Sequence, residues 1–204
     1  MHVLLLRLAL GLYSVGLAHS VLSVLKRKQT FFKPALWAVI AGFVCQVISI
    51  ALRAYQVQYL PLTQRAESFS FFAAVAVLGF LAAYWKYEIS SLGVFAFPAI
   101  FVMTFIANLF YDASDAIPPV LRSNWIYIHT PLVILGYAAL FLAFAAALMY
   151  LIQERELKSK HPTPFINRLP SLEICDDLAY RSLAVGFPLM TMGDRKSTRL
   201  NSSH

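Results

Sequence analysis

The chain has 204 residues, 59% of them hydrophobic and 13% charged, a net charge of +7 and a mean hydropathy of +0.66. Soluble domains carry about 25% charged residues, so an ordinary soluble enzyme is excluded and a polytopic membrane protein is indicated. The positive charge lies in short loops, as membrane topology requires, and does not call for a nucleic-acid partner.

The first apolar run is Val3 to Leu25, interrupted by Arg7 and His19. It is long enough to span, no Ala-x-Ala-like cleavage site follows it, and it is read as a retained helix rather than a signal peptide. Arg7 lies near its start and can snorkel to the headgroups. A second run, Ala35 to Leu52, carries no charge. Arg53 to Ala66 reads as a polar loop, and Glu67 opens the third run, where the helix dipole favours a carboxylate and Ser68 can assist as a cap. Phe69, Phe71 and Phe72 read as lipid-facing or packing surface. The fourth run is Leu92 to Ala107, short enough to be tilted or to thin the bilayer.

Asn108 to Ile128 reads as a loop that contains Pro118-Pro119 and Trp125. After His129 come 23 uncharged residues, Thr130 to Ile152, the fifth span. With Pro131 in its first turn, His129 falls close to the helix N-cap, flanked by Trp125 and Tyr127 at interfacial depth. Imidazole is a good ligand for transition metals and haem iron, so His129 is the foremost candidate ligand, weighed against a boundary histidine bonded to a loop carbonyl. His19, inside the first span, is a second candidate, weighed against a bond to a neighbouring helix.

Gln153 to Asp177 reads as polar, with Cys175 in a loop and Cys45 in an apolar helix, so neither a disulfide nor a CxxC redox site is expected. The neighbouring carboxylates Asp176 and Asp177 read as solvated rather than catalytic. Leu178 to Gly193 begins a sixth, truncated helix, and the fold class is an all-α transmembrane bundle of five complete helices plus that one. Residues 194–204 turn abruptly polar, their opening Asp-Arg-Lys-Ser looks like a translated sequencing adapter, and they are read as a non-native tail on a domain of residues 1–193.

Nine Lys and Arg residues fall in the loops after the first, third and fifth helices, against Arg53, Arg65 and Arg122 in the opposite loops. The positive-inside rule then puts the N-terminus and His129 outside.

Three segments resemble the cytochrome c assembly family of haem-handling membrane proteins, of CcsA and HemX type. They are Pro61-Leu62-Thr63-Gln64-Arg65-Ala66-Glu67-Ser68; Leu121-Arg122-Ser123-Asn124-Trp125 through His129 with Gly136-Tyr137; and Leu151-Ile152-Gln153-Glu154 with Gly186-Phe187-Pro188. The resemblance implies that His129 is an external axial ligand of non-covalent haem b, with Trp125 beside the macrocycle. It implies presentation of haem to apocytochrome c at the outer face of a bacterial inner membrane, with a ResB/CcsB-like partner. Within the family, a HemX-type regulator of haem biosynthesis is the alternative, and outside it a small transporter component. A tryptophan-rich external loop and a second external histidine are expected beyond Gly193, so this chain is read as a fragment. Relatives often place a histidine in the second helix where Gln46 stands here.

Overall fold

The computed structural model describes residues 1–26, 30, 32–62, 64–111, 126–159 and 169–194. They form six α-helices in chain order, with no strand among the described residues: α1 (His2–Leu25), α2 (Phe32–Val57), α3 (Arg65–Tyr87), α4 (Leu92–Leu109), α5 (Ile126–Lys158) and α6 (Leu172–Asp194). The first five are long and apolar enough to cross a bilayer, and this is a polytopic membrane protein. α6 has the length without the apolarity, because Glu173, Asp176, Asp177 and Arg181 occupy its first half.

Each helix buries one stripe. On α2 the buried residues are Phe32, Ala35, Val39, Gly42, Gln46, Ser49 and Arg53, at the three- and four-residue spacing of one helical face. α1 and α2 cross closely because Gly16 lies against Ala35 and Val39, while Gly42 lies against Ala9 and Tyr13. α3 ends at Glu88, whose left-handed backbone (φ 54°) lets its N–H donate to the Tyr84 carbonyl at 2.7 Å before the tight turn into α4. The aromatic centre of the core is Phe80, edge-on to Phe97 at 4.8 Å between ring centroids and stacked on Tyr84 at 6.1 Å. α5 and α6 make the most extensive pairing, α1 and α2 the next.

Chain direction alternates. The start of α1 meets the end of α4 through His2 and Tyr111, and the end of α2 meets the start of α3 through Arg53 and Glu67. The end of α3 meets the first half of α6 through Tyr87 and Asp177. α6 runs antiparallel to α5, since Gly136 packs against Met190 while Leu140, one turn on in α5, packs against Gly186, one turn back in α6. α5 therefore starts at the end of the bundle where α1 starts. That end, called the N-terminal end below, holds His2, Arg53, Glu67, Tyr111 and His129.

Four sequence boundaries move. α2 continues through Arg53 to Val57, so Arg53 is a helical, buried residue and not a loop residue. The charge that ended the apolar run is neutralised by Glu67, a partner that hydropathy along one segment cannot register. α5 begins at Ile126, so His129 sits inside the first turn and Pro131 in the second, not the first. α5 also runs on to Lys158, where Lys158 bonds Glu154 one turn back at 2.7 Å. α6 begins at Leu172, which turns Cys175 from a loop residue into a fully buried helical one.

Candidate functional site

Three helices and the loop before α3 deliver a polar cluster to the N-terminal end. Arg53 Nε donates to Glu67 Oε1 at 3.1 Å, with the two side chains 8% and 5% exposed. The other carboxylate oxygen, Oε2, accepts the backbone N–H of Gln64 at 3.1 Å. Glu67 thus caps the start of α3, as its place in the sequence suggested, and at the same time neutralises a buried arginine. Ser68 Oγ donates to the Leu62 carbonyl at 3.2 Å, bracing the preceding loop. His2 bonds the Tyr111 hydroxyl, and Ser49 Oγ donates to the His2 carbonyl at 2.7 Å. These groups surround a cavity of about 30 Å³, lined among others by His2, Ser49, Arg53, Glu67, Ser70 and Tyr111. That is room for one or two water molecules, and not for a large organic cofactor.

One layer deeper lies Gln46, fully buried. Its Oε1 accepts the Tyr13 hydroxyl at 2.6 Å, and its Nε2 donates to the Ser70 carbonyl at 2.9 Å. Both ends of the amide are committed, to α1 on one side and α3 on the other. At position 46 this chain thus carries a three-helix clamp.

His129 is half-buried in the first turn of α5. It is not among the described residues that line the small cavity. Trp125 lies outside the described residues. His19 Nδ1 donates within its own helix, to the Val15 carbonyl at 3.0 Å, and not to the neighbouring helix that its structural reading expected. Among the described residues no three His, Cys, Asp or Glu side chains converge on a metal position. Haem iron makes a smaller demand, because the porphyrin fills its equatorial positions and the protein adds only axial ligands. A half-buried imidazole leading an apolar helix fits that demand.

At the opposite end Asp177 accepts the Tyr87 hydroxyl at 2.6 Å and Arg181 Nε at 2.7 Å. The Tyr87 bond first, and Arg181 second, hold its carboxyl below the usual carboxylate range. Asp177 is thus a strut between α3 and α6 rather than merely a solvated charge. Burial pushes the neighbouring Cys175 thiol up to about 11, so it is a packing residue with little thiolate character.

Sequence reading passed over the Arg53–Glu67 pair and the Gln46 clamp. The signal was present as polar residues at helical spacing inside apolar helices: 46, 49 and 53 on α2, 67 and 70 on α3.

The sequence model described as "Cytochrome C assembly protein" matches residues 42–193. The cytochrome c biogenesis protein CcsA of Guillardia theta is 26% identical over 189 residues, which cover 83% of this chain and 63% of the relative. Protein HemX of Brevibacillus brevis is 29% identical over 136 residues, 66% of this chain and 50% of the relative. CcsA of Chlorella vulgaris is 25% identical over 198 residues, 81% of this chain and 63% of the relative. The chain therefore spans between half and just under two thirds of the lengths of these curated relatives. No solved structure matches it. With a single family match running from the middle of α2 to the end of α6, across both the buried polar clusters and His129, the chain belongs to the cytochrome c assembly protein family.

Proposed function

We propose that the full-length protein binds haem b non-covalently through His129 and presents it for covalent attachment to apocytochrome c. The observation that carries this reading is a half-buried histidine in the first turn of α5, inside the stretch matched to the family. The chemistry is consistent with it. The protein holds and orients the macrocycle, and the reactive vinyl groups belong to the cofactor. Trp125 would lie against the macrocycle or at the interface, four residues before His129. A ResB/CcsB-like membrane protein is the proposed partner.

We place the N-terminal end of the bundle outside a bacterial cytoplasmic membrane. With Arg53 paired inside α2, Arg65 at the start of α3 and Arg122 remain to set against the basic residues of the other side. Membrane-impermeant labelling of cysteines placed at Ile128 and Leu157, near the two ends of α5, tests this: position 128 should label from outside and position 157 only after permeabilisation.

The family resemblance carries a second reading, a HemX-type membrane regulator of haem biosynthesis acting through glutamyl-tRNA reductase, kept because a HemX protein is among the relatives. Deleting the gene separates the two. Loss of covalent haem from c-type cytochromes with normal total haem supports presentation to apocytochrome c. Intact c-type cytochromes with altered glutamyl-tRNA reductase levels support regulation instead.

A further inference from the structure

Two glycines, Gly136 on α5 and Gly186 on α6, stand where the two helices approach closely. A Cβ placed on Gly136 would stand 2.8 Å from Met190 Cγ, 3.2 Å from the Gly186 carbonyl oxygen and 3.2 Å from the Met190 backbone nitrogen. A Cβ on Gly186 would stand 3.0 Å from the Gly136 carbonyl oxygen and 3.0 Å from Leu140 Cγ and Cδ2. The obstacles include main-chain atoms on both helices. A side chain at either position cannot be absorbed by a rotamer change alone, and the helices must move apart. Gly11, by contrast, has nothing within 4 Å of such a Cβ.

His129 precedes Gly136 by seven residues, so the two share one face of α5 to within about 20°. The helices are antiparallel, and position 136 is level with 186–190. Going back seven residues along α5 therefore goes forward about seven along α6 at an equal rise per residue. That places His129 level with the C-terminal end of α6, at Asp194.

We propose that Gly136 and Gly186 are positioning residues for His129, holding the end of α6 against the face of α5 that carries the imidazole. This rests on the reading of His129 as a haem ligand. The glycine contact sets how closely α6 approaches α5 beside the ligand, and with it how the macrocycle can lie.

The test uses the full-length protein in detergent with hemin as the probe, comparing wild type, Gly136→Ala, Gly136→Leu, Gly186→Ala, His129→Ala and Gly11→Leu. Spin labels at Ile128 and Met192, both exposed, report the separation of α5 and α6 beside His129 once Cys45 and Cys175 are replaced by alanine. Gly136→Leu should lengthen that distance by roughly 2 Å, since helix spacing follows the side chains at the contact. Its hemin affinity should fall about tenfold or more, as when a supporting shell around a metal ligand is disturbed. Gly136→Ala and Gly186→Ala should show smaller changes in both readouts, and Gly11→Leu neither. Free imidazole should restore hemin to His129→Ala but not to Gly136→Leu, whose ligand is intact and whose neighbouring helix is displaced. Wild-type hemin affinity in a Gly136→Leu protein with separated helices, alongside loss in His129→Ala, overturns the positioning role alone. Wild-type affinity in His129→Ala overturns the ligand reading and the positioning role with it.

Discussion

Arg53 and Glu67 form an ion pair across the α2–α3 corner, 3.1 Å between Nε and Oε1, with both side chains removed from water. Neither charge is tolerable there alone. A buried pair is weak evidence of net stabilisation, but breaking one is costly, because the survivor is left charged in a low-dielectric site. Here the Glu67 carboxylate also holds the Gln64 N–H, so one side chain fixes the corner and the first turn of α3 together.

Removing one member should cost about 3–5 kcal/mol of stability. Glu67→Ala should be the more damaging single change, because it takes the cap with it, and Arg53→Met the less. The double change Arg53→Met/Glu67→Leu should recover most of the loss, and thermal unfolding in one detergent reads all three. A double variant no more stable than Glu67→Ala would show that the corner depends on the cap and not on charge balance.

Gln46 should behave as a clamp. Gln46→Leu leaves the Tyr13 hydroxyl without its acceptor and frees the contact to Ser70, at about 1–3 kcal/mol for the stranded buried polar groups. Tyr13→Phe removes one bond and keeps the ring, and should cost about 0.6 kcal/mol, the usual size of one interhelical hydrogen bond in a membrane protein. Steric trapping or graded denaturant unfolding can resolve the difference. Equal losses in the two variants would mean that the Gln46–Ser70 contacts contribute nothing.

The boundaries legible in the sequence were those set by continuous apolarity. α1 and α4 start and stop close to where hydropathy puts them, at 3–25 and 92–107 against observed 2–25 and 92–109. What escaped was settled between segments. Arg53 read as a loop residue because its neutralising partner stands fourteen residues away on another helix. Residues 172–177 of α6 read as loop because Glu173, Asp176 and Asp177 interrupt them, while the buried Cys175 continues the stripe of Leu178 three residues on. The local pattern shows mainly the charges on its other face. Of the candidate site, His129 was legible as a histidine opening a long apolar run. Which residues line the small cavity at that end was not, because helix packing decides which residues at one end of a bundle meet.

Asp177 gives a pH-dependent handle at the opposite end. Tyr87 and Arg181 both stabilise its ionised form, so the carboxyl ionises at lower pH in the folded protein than in the unfolded chain. The stabilisation from this strut is therefore complete above the ordinary aspartate value of about 3.9, and disappears as pH falls through the lower folded value. Tyr87→Phe should raise the titration midpoint of Asp177 toward the ordinary value, followed by carboxyl ¹³C shifts in selectively labelled protein. An unmoved midpoint would transfer the effect to Arg181 alone.

Haem ligation by His129 is the central claim, and the Soret spectrum of the full-length protein tests it most directly. Wild type, His129→Ala, Trp125→Ala and His19→Ala are purified alike and read with and without added imidazole. His129→Ala should lose haem and regain it with imidazole, because a free ligand can fill the vacated axial position. Trp125→Ala should lose less, through packing at the macrocycle or the interface, and His19→Ala less than His129→Ala, since its ring is already bonded within α1. Unchanged haem content and an unchanged Soret band in His129→Ala would contradict the account.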